Sequence, residues 1–335
     1  MNKKIVLFGE YLLRLTPPAH QKLVQADFLE MHWAGSEANI AVSLSILGEQ
    51  TRYISAMPGN ELARAGISQL HKYGVETEII LHDNSRVGTY YYESGVGARP
   101  GRIIYDRDYS AFSLLRPGDV DWQRVLKDAD WFHWSGIIPA LNQNMAEITR
   151  EALKAAKQMG LHISADFNYR STLWQYGLEP ERIMPELLTY CDTVLADVNA
   201  AKLYFNIEPD EKMPVESSFD LLRSALKGVR YMAMTMRTSQ GGNLNHYTGY
   251  LWCKGSIHQS QSYGLDHIAE RIGAGDAFMA GLIYGIRHNK SLQDTIEFAT
   301  ACGVIKHSIP GDFNIAGRAE IESVIEQSGS GRIIR

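Results

Sequence analysis

Four consecutive residues near the C-terminal end, Gly273, Ala274, Gly275 and Asp276, have the types and the spacing to handle an anion. They open the stretch ERIGAGDAFMAGLIYGIRHN, in which Phe278, Leu282 and Ile286 recur at every fourth position, the apolar spacing of a helix. The glycines therefore belong at a helix N-terminus. There the first amides lack partners within the helix, point outward together and add to the positive end of the helix dipole, so an anion is held without any cationic side chain. A carboxylate beside that anion can take the proton of an attacking hydroxyl while the amides stabilise charge on a transferring phosphoryl group. Asp276 is the candidate base, and Gly273, Ala274 and Gly275 are the candidate anion hole. A plainer reading stays open, in which Asp276 only caps the helix and the glycines only permit close packing. Other phosphate motifs are absent from the sequence: no GxxxxGK(S/T) occurs, and GVGARPG at 95–101 has the wrong spacing for a dinucleotide turn and precedes a strand.

Such a turn needs a scaffold behind it. Short apolar runs with the character of buried strands are KIVLFGE at 4–10, RYISAM at 52–57, DWFHWSG at 130–136, HISADF at 162–167, TVLADV at 193–198 and YMAMTM at 231–236. They alternate with helical stretches, EANIAVSLSILG at 37–48, ELARAGISQLHKYG at 61–74 and others near 142–159 and 218–227. The alternation predicts an α/β protein with a doubly wound, mostly parallel sheet between helices. Residues 11–34 and 86–112 break the rhythm: aromatic and β-branched residues, as in VGTYYYESG and GRIIYDRDYSAF, lie near Gly and Pro with no helix between them. They read as antiparallel strands inserted into the core and placed to cover a site as a lid. With no internal repeat and no low-complexity linker, residues 1–335 read as one domain carrying that lid, and the closing GSGRIIR reads as a frayed tail.

Bulk properties narrow the partners. Hydrophobic content of 45% and charged content of 21% are those of a globular chain. A net charge of −5 gives no footprint for nucleic acid or an anionic membrane surface, so any anionic ligand must be met locally. Cys191, Cys253 and Cys302 are odd in number and far apart, which predicts buried thiols in a reducing compartment rather than a disulfide framework or a zinc site. The apolar run after MNKK is too short for a signal sequence and no run spans a bilayer, so a cytoplasmic protein is expected.

A second segment, WAGSEANIAVSLSILG at 33–48, joins a glycine turn, a polar cluster and a helix. Together with IGAGDAF it resembles the ribokinase-like carbohydrate kinases. Members carry Gly-Gly-x-x-x-Asn near the N-terminus and Gly-Ala-Gly-Asp near the C-terminus. The first signature appears here as Ala34, Gly35, Ser36, Glu37, Ala38, Asn39, with Ala34 replacing one glycine. Within that family FGEYLLRLTPP, GSEANIAVSLSILG, RPGRIIYDRDYSAF, DWFHWSGIIPAL, DFNYRSTLW and KHSIPGDFN are similar, in the same order, to 2-keto-3-deoxygluconate kinases. The resemblance implies a ribokinase-like three-layer α/β/α core with a mostly parallel sheet and a small β-sheet lid. It also implies transfer of a phosphoryl group from ATP, with Mg2+, to the terminal hydroxyl of a small sugar acid, giving its 6-phosphate.

Carried over by position, the resemblance implies that Gly35 and Asn39 hold substrate hydroxyls, that Tyr90 and Tyr105 line the sugar pocket from the lid, and that Arg107 and Arg170 bind the sugar's carboxylate. A guanidinium fork suits that task, because it meets a carboxylate with two charge-assisted hydrogen bonds that a neutral sugar does not require. Read alone, Arg107 would pair with Asp106 or Asp108, and Arg170 with Asp166, as ordinary ion pairs. Strand alternation sends neighbours among Tyr90, Tyr91 and Tyr92 to opposite faces, so Tyr90 is taken for the pocket with Tyr92, on the same face, as the alternative.

Three departures from the family pattern bear on the nucleotide. Where an Asn-x-x-Glu element commonly organises magnesium and phosphates, this chain has Asp197, Val198, Asn199 and Ala200. Magnesium is then held mainly by ATP and water, or Asp197 takes part of the role, and no protein metal site is expected. Glu270, Arg271 and Ile272 stand where Asp-Thr-x is common, and Arg271 either meets a phosphate or neutralises Glu270. Arg237 resembles a nucleotide-phosphate contact, with Thr238 where a glycine commonly follows. Two other functions stay open, a kinase for a neutral sugar such as fructose or a nucleoside, and a sugar-acid-binding regulator without catalysis. Aromatics on exposed lid strands predict a homo-oligomer formed through the lid.

Overall fold

The structure is a computed structural model and describes residues 3–207, 214–240, 244–265 and 268–327; the GSGRIIR tail lies outside the described residues. The chain begins with β1 (Lys4–Phe8), β2 (Leu12–Thr16), β3 (Glu30–Ala34), α1 (Ser36–Ile46), β4 (Thr51–Met57), α2 (Glu61–Lys72) and β5 (Glu76–Leu81). It continues through β6 (Thr89–Glu93), β7 (Arg102–Asp106), α3 (Trp122–Val125), β8 (Ala129–Ser135), α4 (Ile137–Leu141), α5 (Gln143–Gln158) and β9 (His162–Asp166). Next come α6 (Pro180–Leu188), β10 (Thr193–Leu195), α7 (Val198–Phe205), α8 (Val215–Ala225) and β11 (Tyr231–Gln240). The last elements are β12 (Leu244–Cys253), β13 (Ser256–Gln259), β14 (Tyr263–Leu265), α9 (Ala274–Arg287), α10 (Leu292–Lys306) and α11 (Arg318–Glu326).

The central sheet runs β13-β12-β11-β10-β9-β8-β1-β4-β5, with β14 also on β12. Every neighbouring pair from β11 to β5 is parallel. Strand alternation divides the core into two layers. On β1, Ile5 and Leu7 pack with Ile40 of α1, Phe278 of α9 and Ala299 of α10, while Val6 and Phe8 pack with Ile148 of α5, Met184 of α6 and Leu222 of α8. The three-layer α/β/α arrangement expected from the resemblance is therefore present. Helix α5 illustrates the local cause: Asn142 caps it by accepting from the Met145 amide at 3.0 Å, and Met145, Ile148, Ala152 and Ala156 form its buried stripe. Helices α9 and α10 pack almost backbone to backbone, since a Cβ on Gly281 would lie 2.7 Å from the Ala299 Cα.

A second sheet, β3-β2-β6-β7, is built from the two insertions. Its outer pairs are antiparallel as expected, but β2 and β6 pair in parallel. The reason is topological: β2 follows β1 and β6 follows β5, two parallel core strands, so both leave the core in the same sense. Met31, Ile103 and Ile104 remain exposed on this lid. Two other features differ from the sequence expectation. The run TVLADV is a strand only to Leu195, because Asp197 accepts from the Ala200 amide at 2.8 Å and starts α7. The antiparallel extension β12, β13 and β14 lacks a helix-spaced partner in sequence and was not foreseen. All three cysteines are buried free thiols. Among the described residues no helix is long and apolar enough to cross a membrane.

Candidate active site

Strand order reverses between β1 and β8, and in a doubly wound sheet ligands bind beyond the C-terminal strand ends at that reversal. A cleft of about 1730 Å³ lies there. Glu10 follows β1, Ile137 follows β8, Asp166 ends β9, and the lid contributes Tyr90, Tyr92, Tyr105 and Arg107. Gly273, Gly275 and Asp276 close it from the start of α9.

The turn into α9 is dictated by contact as much as by conformation. Gly273 sits at φ +84°, and a Cβ there would overlap the Asp312 carbonyl oxygen and come within 3.1 Å of the Lys306 side chain. Gly275 borders open space, which lets a ligand approach the backbone. Ala274 is buried and lends its amide, not its side chain, to the turn. On the opposite wall Gly35, at φ +151°, brings α1 so close to the chain after β1 that a Cβ would overlap the Glu10 carbonyl oxygen.

Asp276 faces the cleft and is held at both oxygens. Ser36 Oγ donates to Oδ1 at 2.6 Å and Asn39 Nδ2 donates to Oδ2 at 2.7 Å. Asn168 Nδ2 in turn donates to Ser36 Oγ at 2.9 Å, and the Asn168 amide donates to Asp166 at 3.1 Å. Burial lifts the Asp276 carboxyl above its ordinary range, and the Ser36 and Asn39 hydrogen bonds and the Arg170 charge oppose that rise without cancelling it. Burial pushes Asp166 up to about 8, with the negative Asp276 adding to the rise, and pushes Glu37 up to about 7. Burial thus favours the proton on Asp166 and on Glu37, and Asp276 is the carboxyl whose charged form the Ser36 and Asn39 side chains stabilise.

These shifts have a consequence for stability. An unfolded carboxyl releases its proton near pH 4, whereas folded Asp166 and Glu37 keep theirs, so the folded state binds more protons above that pH. Stability contributed by these groups is full below the unfolded range and falls as pH rises toward about 7 for Glu37 and about 8 for Asp166. Thermal unfolding of the ligand-free protein is expected at progressively lower temperature from about pH 5 to pH 8, and Asp166→Asn is expected to flatten that decline. Equal slopes in parent and variant would show that Asp166 is ionised throughout.

A buried charge network underlies the turn and ties the lid to it. Arg14 of β2 donates to Glu270 at 2.5 Å and to Asp312 at 2.8 Å, and the Tyr90 hydroxyl donates to Asp312 at 2.5 Å. Glu270 also accepts the amides of Arg271 at 2.9 Å and Ile272 at 3.1 Å. Lys306 is fully buried beneath Gly273, where it donates to the Ile309 carbonyl at 2.9 Å and burial brings its ammonium down to about 8.

The structure gathers Gly35, Asn39, Tyr90, Tyr105, Arg107, Arg170 and Arg271 on the cleft with the α9 turn. Tyr92 also lines it, on the face shared with Tyr90, and stacks against Arg14 at 4.6 Å. Arg107 pairs with neither Asp106 nor Asp108: its Nε donates to Glu10 at 2.8 Å and its Nη2 reaches the same carboxylate, while Asp106 goes to Arg86. Arg170 is exposed, and its hydrogen bond goes to the Tyr169 carbonyl at 3.1 Å. The carboxylate of Glu270 is neutralised by Arg14, leaving the Arg271 side chain exposed on the cleft. Asp197 and Arg237 do not line the cleft; Asp197 caps α7, and Arg237 lies 5.6 Å from the Tyr247 ring centroid. Sequence reasoning missed Glu10, Arg14, Ser36, Glu37, Asp166, Asn168 and Asp312 as site residues. Each lies in or beside a quoted segment, but only distant pairing reveals its part.

Comparison with known proteins identifies the family. A family model described as pfkB family carbohydrate kinase matches residues 2–224 and 267–313. The chain is 29% identical over 335 residues to the 2-dehydro-3-deoxygalactonokinase of Haloferax volcanii, covering 99% of each. It is 24% identical over 315 residues to the 2-dehydro-3-deoxygluconokinase of Bacillus subtilis, covering 94% of this chain and 92% of the relative. The crystal structure of 2-dehydro-3-deoxygluconokinase from Thermotoga maritima superposes with a TM-score of 0.91 at 32% identity, covering 97% of this chain and 99% of that one. The two matched stretches carry the opposing walls of the cleft, α1 on one side and the α9 turn with Asp312 on the other, and the chain belongs to the pfkB family of carbohydrate kinases.

Proposed function

We propose that this kinase transfers the γ-phosphoryl group of ATP to the terminal hydroxyl of a 2-keto-3-deoxy sugar acid, with Asp276 as general base. The observation that carries the reading is Asp276 itself, facing the cleft, beside the unpaired first amides of α9, with both oxygens fixed by donors. Its ionised oxygen accepts the hydroxyl proton as that oxygen attacks phosphorus, and the bond from phosphorus to the ADP oxygen breaks. The amides of Ala274, Gly275 and Asp276 then stabilise the transferring group. Tyr90, Tyr105 and Asn39 shape the sugar side, Arg170 and Arg107 meet the carboxylate, and the lid excludes water. Arg271 is placed to meet a nucleotide phosphate; Arg237 and Asp197, off the cleft, would serve only a nucleotide extending along β11 and α7. Mg2+ is reluctant to give up its water, so it enters as the counter-ion of ATP, and no step is assigned to a protein-held metal.

An ADP-release assay over keto-deoxy acids of gluconate and galactonate configuration, together with neutral ketoses and nucleosides, tests the reading. Higher kcat/KM for a keto-deoxy acid supports it. Preference for a neutral ketose would make the arginines structural, and binding without turnover would leave only a sugar-acid-binding role.

A further inference from the structure

The position between Gly35 and Glu37 carries more than a helix start. Ser36 has one hydroxyl hydrogen, and Asn168 Nδ2 occupies one of its lone pairs at 2.9 Å, so the hydrogen is turned toward Asp276 Oδ1 at 2.6 Å. Asn168 is itself held in an uncommon conformation, φ +37°, for a residue with a side chain. The Asp166 side chain, whose Oδ1 accepts the Asn168 amide at 3.1 Å, fixes that turn. Strained backbone that persists in a cleft is characteristic of a functional constraint.

We propose that Ser36, aimed by Asn168, is the positioning residue that orients Asp276 and stabilises its charged form for proton abstraction. This rests on the function proposed above and deepens it. The hydroxyl acts through Asp276 and does not touch the reacting atoms. Asn39 secures the second oxygen, so loss of Ser36 releases one oxygen without freeing the whole carboxylate.

The charged groups around Asp276 come from five places: Glu37 on α1, Asp166 at the end of β9, Arg170 in the loop after it, Lys306 on α10 and Asp312 in the loop beyond α10. Ser36→Ala leaves all of them in place. Because the hydroxyl favours the charged form, its removal raises the Asp276 pKa, and the acid limb of the kcat/KM profile moves to higher pH. A shift of about one to two pH units corresponds to losing one hydrogen bond to a charged group. KM for the sugar acid is expected to stay within about twofold, Ser36→Thr to restore the parent profile, and Asn168→Gly, which suits φ +37°, to shift the limb in the same direction by less.

The experiment is a pH profile of kcat and KM for these three variants, with thermal unfolding to confirm folding and Asp276→Asn measured alongside. An inactive Asp276→Asn with an unmoved acid limb in Ser36→Ala overturns the role of Ser36 alone. Turnover retained by Asp276→Asn overturns the base assignment, and the role of Ser36 with it. If Ser36→Ala fails to fold, the Asn168→Gly profile decides.

Discussion

Asp276→Asn is expected to lower kcat by about 10²- to 10⁴-fold, the range associated with removing a general base, with KM for the sugar acid little changed. Asn has the same shape and can still accept from Ser36, but its neutral amide cannot take the hydroxyl proton. It also presents two donors of its own, so its contact with the Asn39 amide must be rearranged. Stability should not fall in parallel. Burial disfavours the charged form of Asp276, so replacing it with a neutral group removes the cost of a desolvated carboxylate beside Glu37 and Asp166. The expected signature is therefore a large loss of turnover with an unfolding temperature equal to or above the parent's, a pattern in which an active site holds a destabilising charge. Turnover within about threefold of the parent would exclude Asp276 as the base. A collapse of stability would instead assign it the role of a helix cap.

The two arginines are expected to part company. Arg170 is exposed and has no ion pair within hydrogen-bonding range among the described residues, so Arg170→Ala should cost the fold about 0.5 kcal/mol or less. If it meets the sugar's carboxylate, its loss should raise KM for the acid by about 10- to 150-fold, the equivalent of one charge-assisted hydrogen bond at about 1.5–3 kcal/mol. KM for a neutral ketose should hardly move. Arg107 differs because it is buried against Glu10, which the Ser110 hydroxyl also reaches at 2.5 Å. Arg107→Ala strands that carboxylate and is expected to destabilise the protein by about 3–5 kcal/mol whatever the ligand. Its Nη1 makes no hydrogen bond among the described residues, and that is the nitrogen free to face a substrate. Urea unfolding together with KM for acid and ketose separates the two effects. An Arg170→Ala enzyme with unchanged KM for the acid would remove Arg170 from the carboxylate site.

Legibility in the sequence follows how local each feature is. The α9 turn is readable because its chemistry depends on neighbours within one helical turn: glycine freedom, unpaired amides and an acidic first-turn residue all follow from four adjacent positions. The parallel core is readable because strands buried on both faces show as apolar runs between helical stretches. The lid is readable as strands, but its parallel β2–β6 junction depends on which core strands each insertion leaves. Asp197 shows the opposite case. The resemblance gives it part of the role of the family's Asn-x-x-Glu element toward magnesium and phosphates, and the structure places it off the cleft, where it caps α7 by accepting the Ala200 amide.

From residue types and spacing alone the chain declared its alternating α/β core and a glycine turn with a carboxylate at a helix start, and the resemblance added the segments that meet at the cleft. Those properties rest on backbone geometry and short-range periodicity, which neighbouring residues control. Tertiary structure alone decided which partners determine charge. Ser36 meets Asp276 across 240 positions and Arg14 meets Asp312 across 298, and Arg107 is claimed by Glu10 rather than by its own strand neighbours. The ionisation state of a buried carboxyl is set by the groups within a few ångströms of it, and distance along the chain carries no record of them until the fold has closed.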